Sequence, residues 1–550
     1  MQAAFLATHE PYAEASYREV ARQLDARRGQ WEAMRRDSCE ATRVRREQSD
    51  TMMDVRAACL ERQRTDIAAF VTELRAVDAE ALRNAPQAVA GVGDPTRCGD
   101  VGTLARRAPL PAGASQRSAI AAVEREAAAA RARLLAGHPR DVIAGSEQLI
   151  AGARAAGYRP VLAEALAVAA EAHAHVENAD RADALYREAL LAADAGGDDT
   201  LRFDFHVALI RAAAIRERDA DAVPHAEQAE ALLARLGADP RRAAILAHSR
   251  AHADWAAERF ADGIRRAGEA VKLFERIDPA GIELASALHM RAILEDELHD
   301  DTNSLASEER ALAIAERALG PQHPSIAKMQ NTLGAALHRL RRDDEARQAY
   351  EKALAITEAT SGPQAALMGA ILDNLATLDL EAGKFDAAIA TLRRAVDIAE
   401  KTLGAEHSRM LMPLGRLGSA LSRAGRAAEA EATLKRALAI ATKPGPDSLL
   451  AADIRKALGK HYLRVGQPAQ ARAEFLEGLR AIEASQGPSS VLRAAPLKGL
   501  GDAELALGKS AAALDAYQRA RAAMGSATQF PKLRGEIEEA LAQMPSGAPK

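Results

Sequence analysis

The chain has 550 residues, 48% apolar but only 3% aromatic, with Ala and Leu carrying most of the apolar share. That composition favours helix and is poor in the β-branched and aromatic residues that a sandwich, a barrel or a doubly wound sheet needs. The formal charge of −4, from 73 basic and 77 acidic residues, gives no nucleic-acid footprint, and three cysteines are too few for a disulfide scaffold.

No segment approaches 18 consecutive apolar residues, so none reads as a membrane span. The start, MQAAFLATHEP, has no basic n-region and no long apolar core, and does not read as a signal peptide. Residues 1–110 read as a helical region, with Cys39 and Cys59 on helical segments and Cys98 after a Pro-containing break. A metal site would need two further ligands at close spacing, and none stands there. A loop rich in Pro, Gly and Ala follows at 108–114.

From about 117 to 526 the chain repeats. One small residue recurs as Ala151, Ala189, Ala229, Ala270, Ala311, Ala353, Ala395, Ala437, Gly478 and Ala520, at steps of 38 to 42. A Gly-containing turn recurs in LGPQHP, SGPQAA, LGAEHS, PGPDSL and QGPSSV, from Gly320 to Gly487. Within a unit such as 371–400, apolar residues fall at helical spacing, break at Gly383, and resume. Gly383, Gly425, Gly466 and Gly508 therefore mark left-handed helix ends, and the Gly-Pro pairs separate one unit from the next. Small residues at Gly334, Gly418, Gly459 and Gly501 are expected to let neighbouring backbones approach closely. Each unit is two helices that cannot bury their apolar face alone, so stacking supplies the core. Residues 527–550, with Pro531 and the PSGAPK tail, are expected to cap the array and fray.

The pattern L-G-x2-Y/L…A-x3-Y/F…A, at NTLG (331–334) and YEKALAI (350–356), resembles the tetratricopeptide repeat, whose usual period is about 34 residues. The longer period here, with LGPQHPSIA at 319–327, resembles the kinesin-light-chain type; the first four units are divergent and rest on spacing more than on motif. The resemblance implies an all-α, right-handed superhelix of about ten helix pairs. Its concave groove would hold a peptide or protein segment, with Asn binding the backbone and Lys or Arg the carboxylates. If Ala251, Ala292, Gly334 and Gly459 pack inward, residues three before, one after and four after them face the groove. That rule, extended along the array, selects His248, His252, Trp255, His289, Asn331, His338, Asp373, Asn374, Lys456, Lys460 and Lys498. His248 and His252 also stand at the i, i+4 metal spacing, but without the Glu of H-E-x-x-H they read as groove-lining or surface histidines. No cofactor or catalytic constellation is indicated.

The N-terminal strings AFLATHEPYA (4–13), Trp31…CEATRVRREQS (39–49) and MDVRAACLER (53–62), with Cys98, resemble the juxtamembrane region of myxobacterial membrane serine/threonine protein kinases with tetratricopeptide tails. The kinase motifs themselves are missing: no Gly-rich loop, no V-A-I-K, no H-R-D-L and no D-F-G. The resemblance implies a non-enzymatic scaffold in kinase signalling, or the extracytoplasmic sensor tail of such a kinase. It places a stand-alone protein in the cytoplasm and a kinase tail outside the inner membrane. In the latter setting two cysteines could pair, Cys39 with Cys59 being the candidate bridge; buried free thiols are the alternative. Two copies could also associate through the N-terminal helices.

Overall fold

A computed structural model describes every residue except 177, 216–218, 238, 361–364, 444, 446–447, 526–529 and 545–550. The Gly-Pro at 362–363, Pro446 and the tail expected to fray thus fall wholly or partly outside the described residues. Among those described the chain is helical throughout, without strands, and divides into Met1–Gly362 and Pro363–Lys550.

In the first unit α1 (Gln2–Leu6), α2 (Ala13–Arg43), α3 (Asp50–Glu73), α4 (Ala79–Ala88) and α5 (Val101–Arg106) precede six helix pairs. The pairs are α6 (Ala114–Ala136) with α7 (Pro139–Ala156), α8 (Arg159–His175) with α9 (Ala179–Ala195), and α10 (Asp199–Ile215) with α11 (Asp219–Arg235). Then come α12 (Pro240–Ala256) with α13 (Phe260–Ile277), α14 (Ile282–Glu297) with α15 (Asp301–Leu319), and α16 (Pro324–Arg339) with α17 (Asp343–Ala359). The second unit holds α18 (Ala365–Glu381) with α19 (Phe385–Leu403) and α20 (Leu411–Arg423) with α21 (Ala427–Ala441). It continues with α22 (Leu449–Arg464) and α23 (Pro468–Gln486), then α24 (Ala494–Ala506) and α25 (Ser510–Met524), and ends on α26 (Pro531–Ala542). Ile537 of α26 is buried against Leu497, Ala520 and Met524, which covers the last apolar face. Even-numbered helices from α6 to α16 and from α18 to α24 each touch the next in that series, as in α10 with α12 and α20 with α22, and so form the inner layer of their unit.

Local chemistry sets each turn. Gly383, Gly425, Gly466 and Gly508 adopt φ near +75° between paired helices, and the next N–H reaches back to the carbonyl five residues before that glycine's successor, as Lys384 does to Asp379 at 2.8 Å. In three earlier pairs Glu258, His299 and Arg341 hold the same left-handed position, with φ of 55°, 58° and 63°. The turns between pairs carry a second device. His323 and His407 accept through Nδ1 from the N–H two residues on, at 3.1 Å. The hydroxyl of Ser490 likewise accepts from Leu492, and that of Ser448 from Ala451, one residue further along. The recurrent H/S of LGPQHP, LGAEHS, PGPDSL and QGPSSV is therefore the N-cap of the succeeding helical turn.

The small inner residues make room for a side chain rather than for a backbone. A Cβ on Gly334, Gly459 or Gly501 would clash with the ring of Tyr350, Phe475 or Tyr517, each sixteen residues on; on Gly418 it would strike Leu434. In α14 and α15 the same spacing runs from Ala292 to Glu308, a carboxylate with 0% exposure. Of the recurring outer-helix residues, Ala151 alone is exposed. The connection from α7 to α8 is only Gly157-Tyr158, which shortens the step, and Ala153 is buried in its place.

The N-terminal helices are held differently. Arg56 is buried, donating to the Cys98 carbonyl at 3.0 Å, to Gln48 at 3.1 Å and to Asp37 at 2.6 Å. Cys59 is bridged to Cys98, with Cα atoms 5.7 Å apart, and Cys39 is free and exposed. This corrects the expected Cys39–Cys59 bridge. Cys39 is four residues before the end of α2 and Cys59 nine after the start of α3, an offset of five residues or roughly 7.5 Å along the hairpin axis. Cys59 instead packs beside Met34 and Trp31. The region then reaches far along its unit: Arg22 pairs with Asp278 at 3.1 Å, and Arg97 with Asp204 at 2.8 Å. The Nε2 of His323 donates to the Arg83 carbonyl at 3.1 Å.

Candidate functional site

The inner helices present the expected side chains, on each unit separately. In the first unit α12 carries His248, His252 and Trp255. The two imidazoles meet edge to face at 4.9 Å. Loss of hydration against the surrounding helices, reinforced by Arg211 and His289 at both and by His252 at His248, lowers the pKa of His248 to about 3 and that of His252 to about 4, so both are neutral at pH 7. Trp255 is 42% exposed and donates through Nε1 to Glu297 at 3.2 Å. His252 and Trp255 face solvent, whereas His248 is half-buried with an Nδ1 that makes no hydrogen bond. Among the described residues no three His, Cys, Asp or Glu side chains are placed to hold a metal.

His289, on α14, turns toward its own pair. Its Nδ1 donates to both oxygens of Glu308 at 2.9 Å, which offsets the burial that pushes the Glu308 carboxyl up. Asn331 and His338 are half-buried on α16, and His338 donates to Asp343 at 2.9 Å. What sequence spacing missed here is that Glu308 occupies an aromatic's place and requires a partner.

In the second unit Asp373 and Asn374 lie half-buried on α18, Asp373 with Arg416 of α20 at 2.9 Å. Burial pushes the Asp373 carboxyl up, and Arg416 opposes that. Further along, Lys456 pairs with Asp453 at 2.6 Å and Lys498 with Asp502 at 2.9 Å. Lys460, exposed between them, has no ion pair among the described residues; burial by the surrounding wall and the charge of Lys456 lower its pKa. Three ammonium groups on α22 and α24 are thus brought together, two of them already neutralised.

A family model described as tetratricopeptide repeat matches residues 283–359, 325–401, 367–443, 408–484 and 448–526. No curated protein matches the chain significantly. Among solved structures, the apo form of the quorum sensor NprR from B. thuringiensis is 13% identical, with TM-score 0.50 over 64% of this chain and 96% of that one. The apo form of RapI is also 13% identical, with TM-score 0.51 over 69% of this chain and 99% of that one. A kinesin light chain from Podosopora anserina with nearly identical TPR-like repeats is 22% identical, with TM-score 0.34 over 38% of this chain and 98% of that one. The first two similarities concern the fold. The family match begins within α14, so α6–α13 lie outside it, in the stretch where spacing more than motif marks the repeats.

Proposed function

We propose that this chain, whose residues 283–526 are tetratricopeptide repeats, is a non-enzymatic scaffold that binds a protein or peptide segment along the inner helices of its units. The observation that carries this reading is the uneven use of the inner face. Gly334, Gly418, Gly459 and Gly501 are committed to packing, while Trp255, His252 and Lys460 at neighbouring register positions stand open to solvent. An exposed Trp is a strong anchor for an apolar side chain, and a lysine without an ion pair accepts a carboxylate. Panning a displayed peptide library on the full chain tests the reading. Binders should quench or shift Trp255 fluorescence or lose affinity in Lys460→Glu. A library that yields none, or binders indifferent to both Trp255→Ala and Lys460→Glu, would overturn it.

The place of this scaffold in serine/threonine kinase signalling rests on the resemblance of residues 4–62 to the kinase juxtamembrane region. The Cys59–Cys98 bridge favours a second reading, an extracytoplasmic sensor, because disulfides persist in oxidising compartments. Alkylation in freshly lysed source cells decides between them. Cys59 and Cys98 labelled only after reduction support the sensor, and full labelling without reductant supports the cytoplasmic scaffold.

A further inference from the structure

Residues 94–108 run between α3 and the array and are fastened on both sides. On the α3 side Cys98, in a 3₁₀ turn at Pro95–Gly99, is bridged to Cys59, and its carbonyl accepts from Arg56 Nε at 3.0 Å. Asp94 meets Arg27 of α2 at 3.3 Å. The apolar contact there is small: Cys59, Leu60, Cys98 and Leu104 form a buried cluster of their own, edged by Trp31 and Met34. On the array side Arg97 meets Asp204 of α10 at 2.8 Å, and Arg107 meets Glu164 of α8 at 3.2 Å and Asp198 at 3.3 Å. The Ala108 N–H donates to the Gly196 carbonyl at 2.9 Å, and the Ala108 carbonyl accepts from the Tyr158 hydroxyl at 2.7 Å. A cleft of about 740 Å³ is lined by α3, by α6, α8 and α10, and by Arg97, Leu104 and Arg107 of this segment. Cys59 lines the cleft too, whereas Cys98, with no exposed surface, does not.

We propose that residues 94–108 are a redox-released strap: a small dithiol in the cleft reduces the Cys59–Cys98 bridge, and the strap then parts from α3 while staying on α8 and α10. The first thiolate of the dithiol attacks Sγ of Cys59, the sulfur on the cleft wall, and the S–S electron pair leaves on Cys98. The second thiol displaces Cys59, so the dithiol ends as a disulfide and its two protons end on Cys59 and Cys98. The two sides of the strap are then unequal. Toward the array the ion pairs of Arg97 and Arg107 and both hydrogen bonds of Ala108 are untouched by the exchange. Toward α3 the bonds to Arg56 and Arg27 and the small apolar cluster remain, and Arg56 keeps Gln48 at 3.1 Å and Asp37 at 2.6 Å when Cys98 withdraws. Separation therefore falls at the Cys59–Cys98 boundary and widens the cleft. The inference is independent of the inner-face reading above.

Hydrogen exchange of the full chain with and without dithiothreitol in native buffer tests it, with alkylation to count the thiols set free. Cys59 and Cys98 should become alkylable together, and residues 94–107 should exchange at least tenfold faster. Rates in α6–α9 and α18–α25 should hold, and reoxidation should restore the slow exchange of the strap. The double variant Cys59→Ser, Cys98→Ser should show the fast exchange without any dithiol. A bridge that resists dithiothreitol as long as helicity stays native overturns the proposal. So does a fully reduced chain in which 94–107 exchange as slowly as before, or a loss of protection shared equally by α6–α9, which is unfolding rather than release. Slow exchange of 94–107 in the folded double variant also overturns it. If that variant does not fold, the reduced unaltered chain decides alone.

Discussion

The N-terminal helices and the later repeats bury different chemistry. In the repeats each pair closes on a small residue and a large one sixteen positions on, so the same contact is made again in Gly334–Tyr350, Gly459–Phe475 and Gly501–Tyr517. In the N-terminal region an apolar cluster that includes Phe5, Val20, Phe70, Leu74 and Leu82 is joined by links that are single and distant. Arg56 reaches Cys98, Arg97 reaches Asp204 and His323 reaches Arg83. A repeat core is a sum of short-range contacts and tolerates variation unit by unit. The N-terminal region adds to its own apolar cluster a few polar and covalent links, each without a copy elsewhere. Perturbing a repeat contact should therefore cost packing energy near the altered unit, and perturbing an N-terminal link should release α1–α5 while leaving distant pairs folded.

The largest effect is expected at the repeat rings. Tyr517→Ala empties a slot lined by Gly501 and should cost about 3–5 kcal/mol, as large buried aromatics do. Gly501→Ala, which forces the ring to move, should cost about 1–3 kcal/mol. Hydrogen exchange should place both losses in α24, α25 and their neighbours; protection lost equally in α2 and α3 would break the comparison.

Removing the bridge by Cys59→Ala should cost about 2–4 kcal/mol, the range for a disulfide that closes a loop of moderate length. The loss should appear as faster exchange in α2–α5, with α18–α25 unchanged. Equal loosening of both units would show that the N-terminal region is not an independent layer of stability.

Acid offers a third route to the same layer. His323 is fully buried; its Nδ1 accepts from Ser325 and its Nε2 donates to Arg83, so a second proton would face the Ser325 N–H. Burial lowers its pKa to about 4, below the 6.5 of the unfolded chain. The unfolded state therefore takes up the proton first. The contribution of this histidine is complete above pH 6.5 and is lost as pH falls toward 4, by about 3 kcal/mol in all. His323→Asn retains a cap without a titrating group, and should remove that part of the stability loss between pH 6.5 and 4. An unaltered pH profile in His323→Asn would mean that the other buried histidines dominate.

How much of this was legible depends on the same contrast. The 42-residue step shows in the sequence because Gly383, Gly425, Gly466 and Gly508 perform one task repeatedly. The inner-face register of Trp255 and Lys460 comes from helical geometry alone. The bridge partner of Cys59 was not legible, because it depends on the offset of a single hairpin that no second copy reveals. Nor was the role of His289 legible, since a histidine at a groove position reads alike whether it meets a ligand or a buried carboxylate.

The smallest expected effect examines the repeat side of the comparison from within. If each turn between paired helices is one device used seven times, its glycine should be transferable. Glu258 adopts φ +55° where the later pairs place glycine, and the Arg259 N–H makes the same backward bond, to Asp254 at 2.8 Å. A side chain in that conformation costs roughly 1–2 kcal/mol, while glycine gives part of that back through the greater freedom of the unfolded chain. Glu258→Gly should therefore stabilise by up to about 1 kcal/mol, and Gly466→Ala should destabilise by about the same amount. Opposite signs at equivalent positions in denaturant unfolding would establish that the turn geometry, rather than the residue, is what the repeats hold in common. A loss in Glu258→Gly would mean that the earlier pairs, outside the matched repeats, require the Glu258 side chain for a contact of their own.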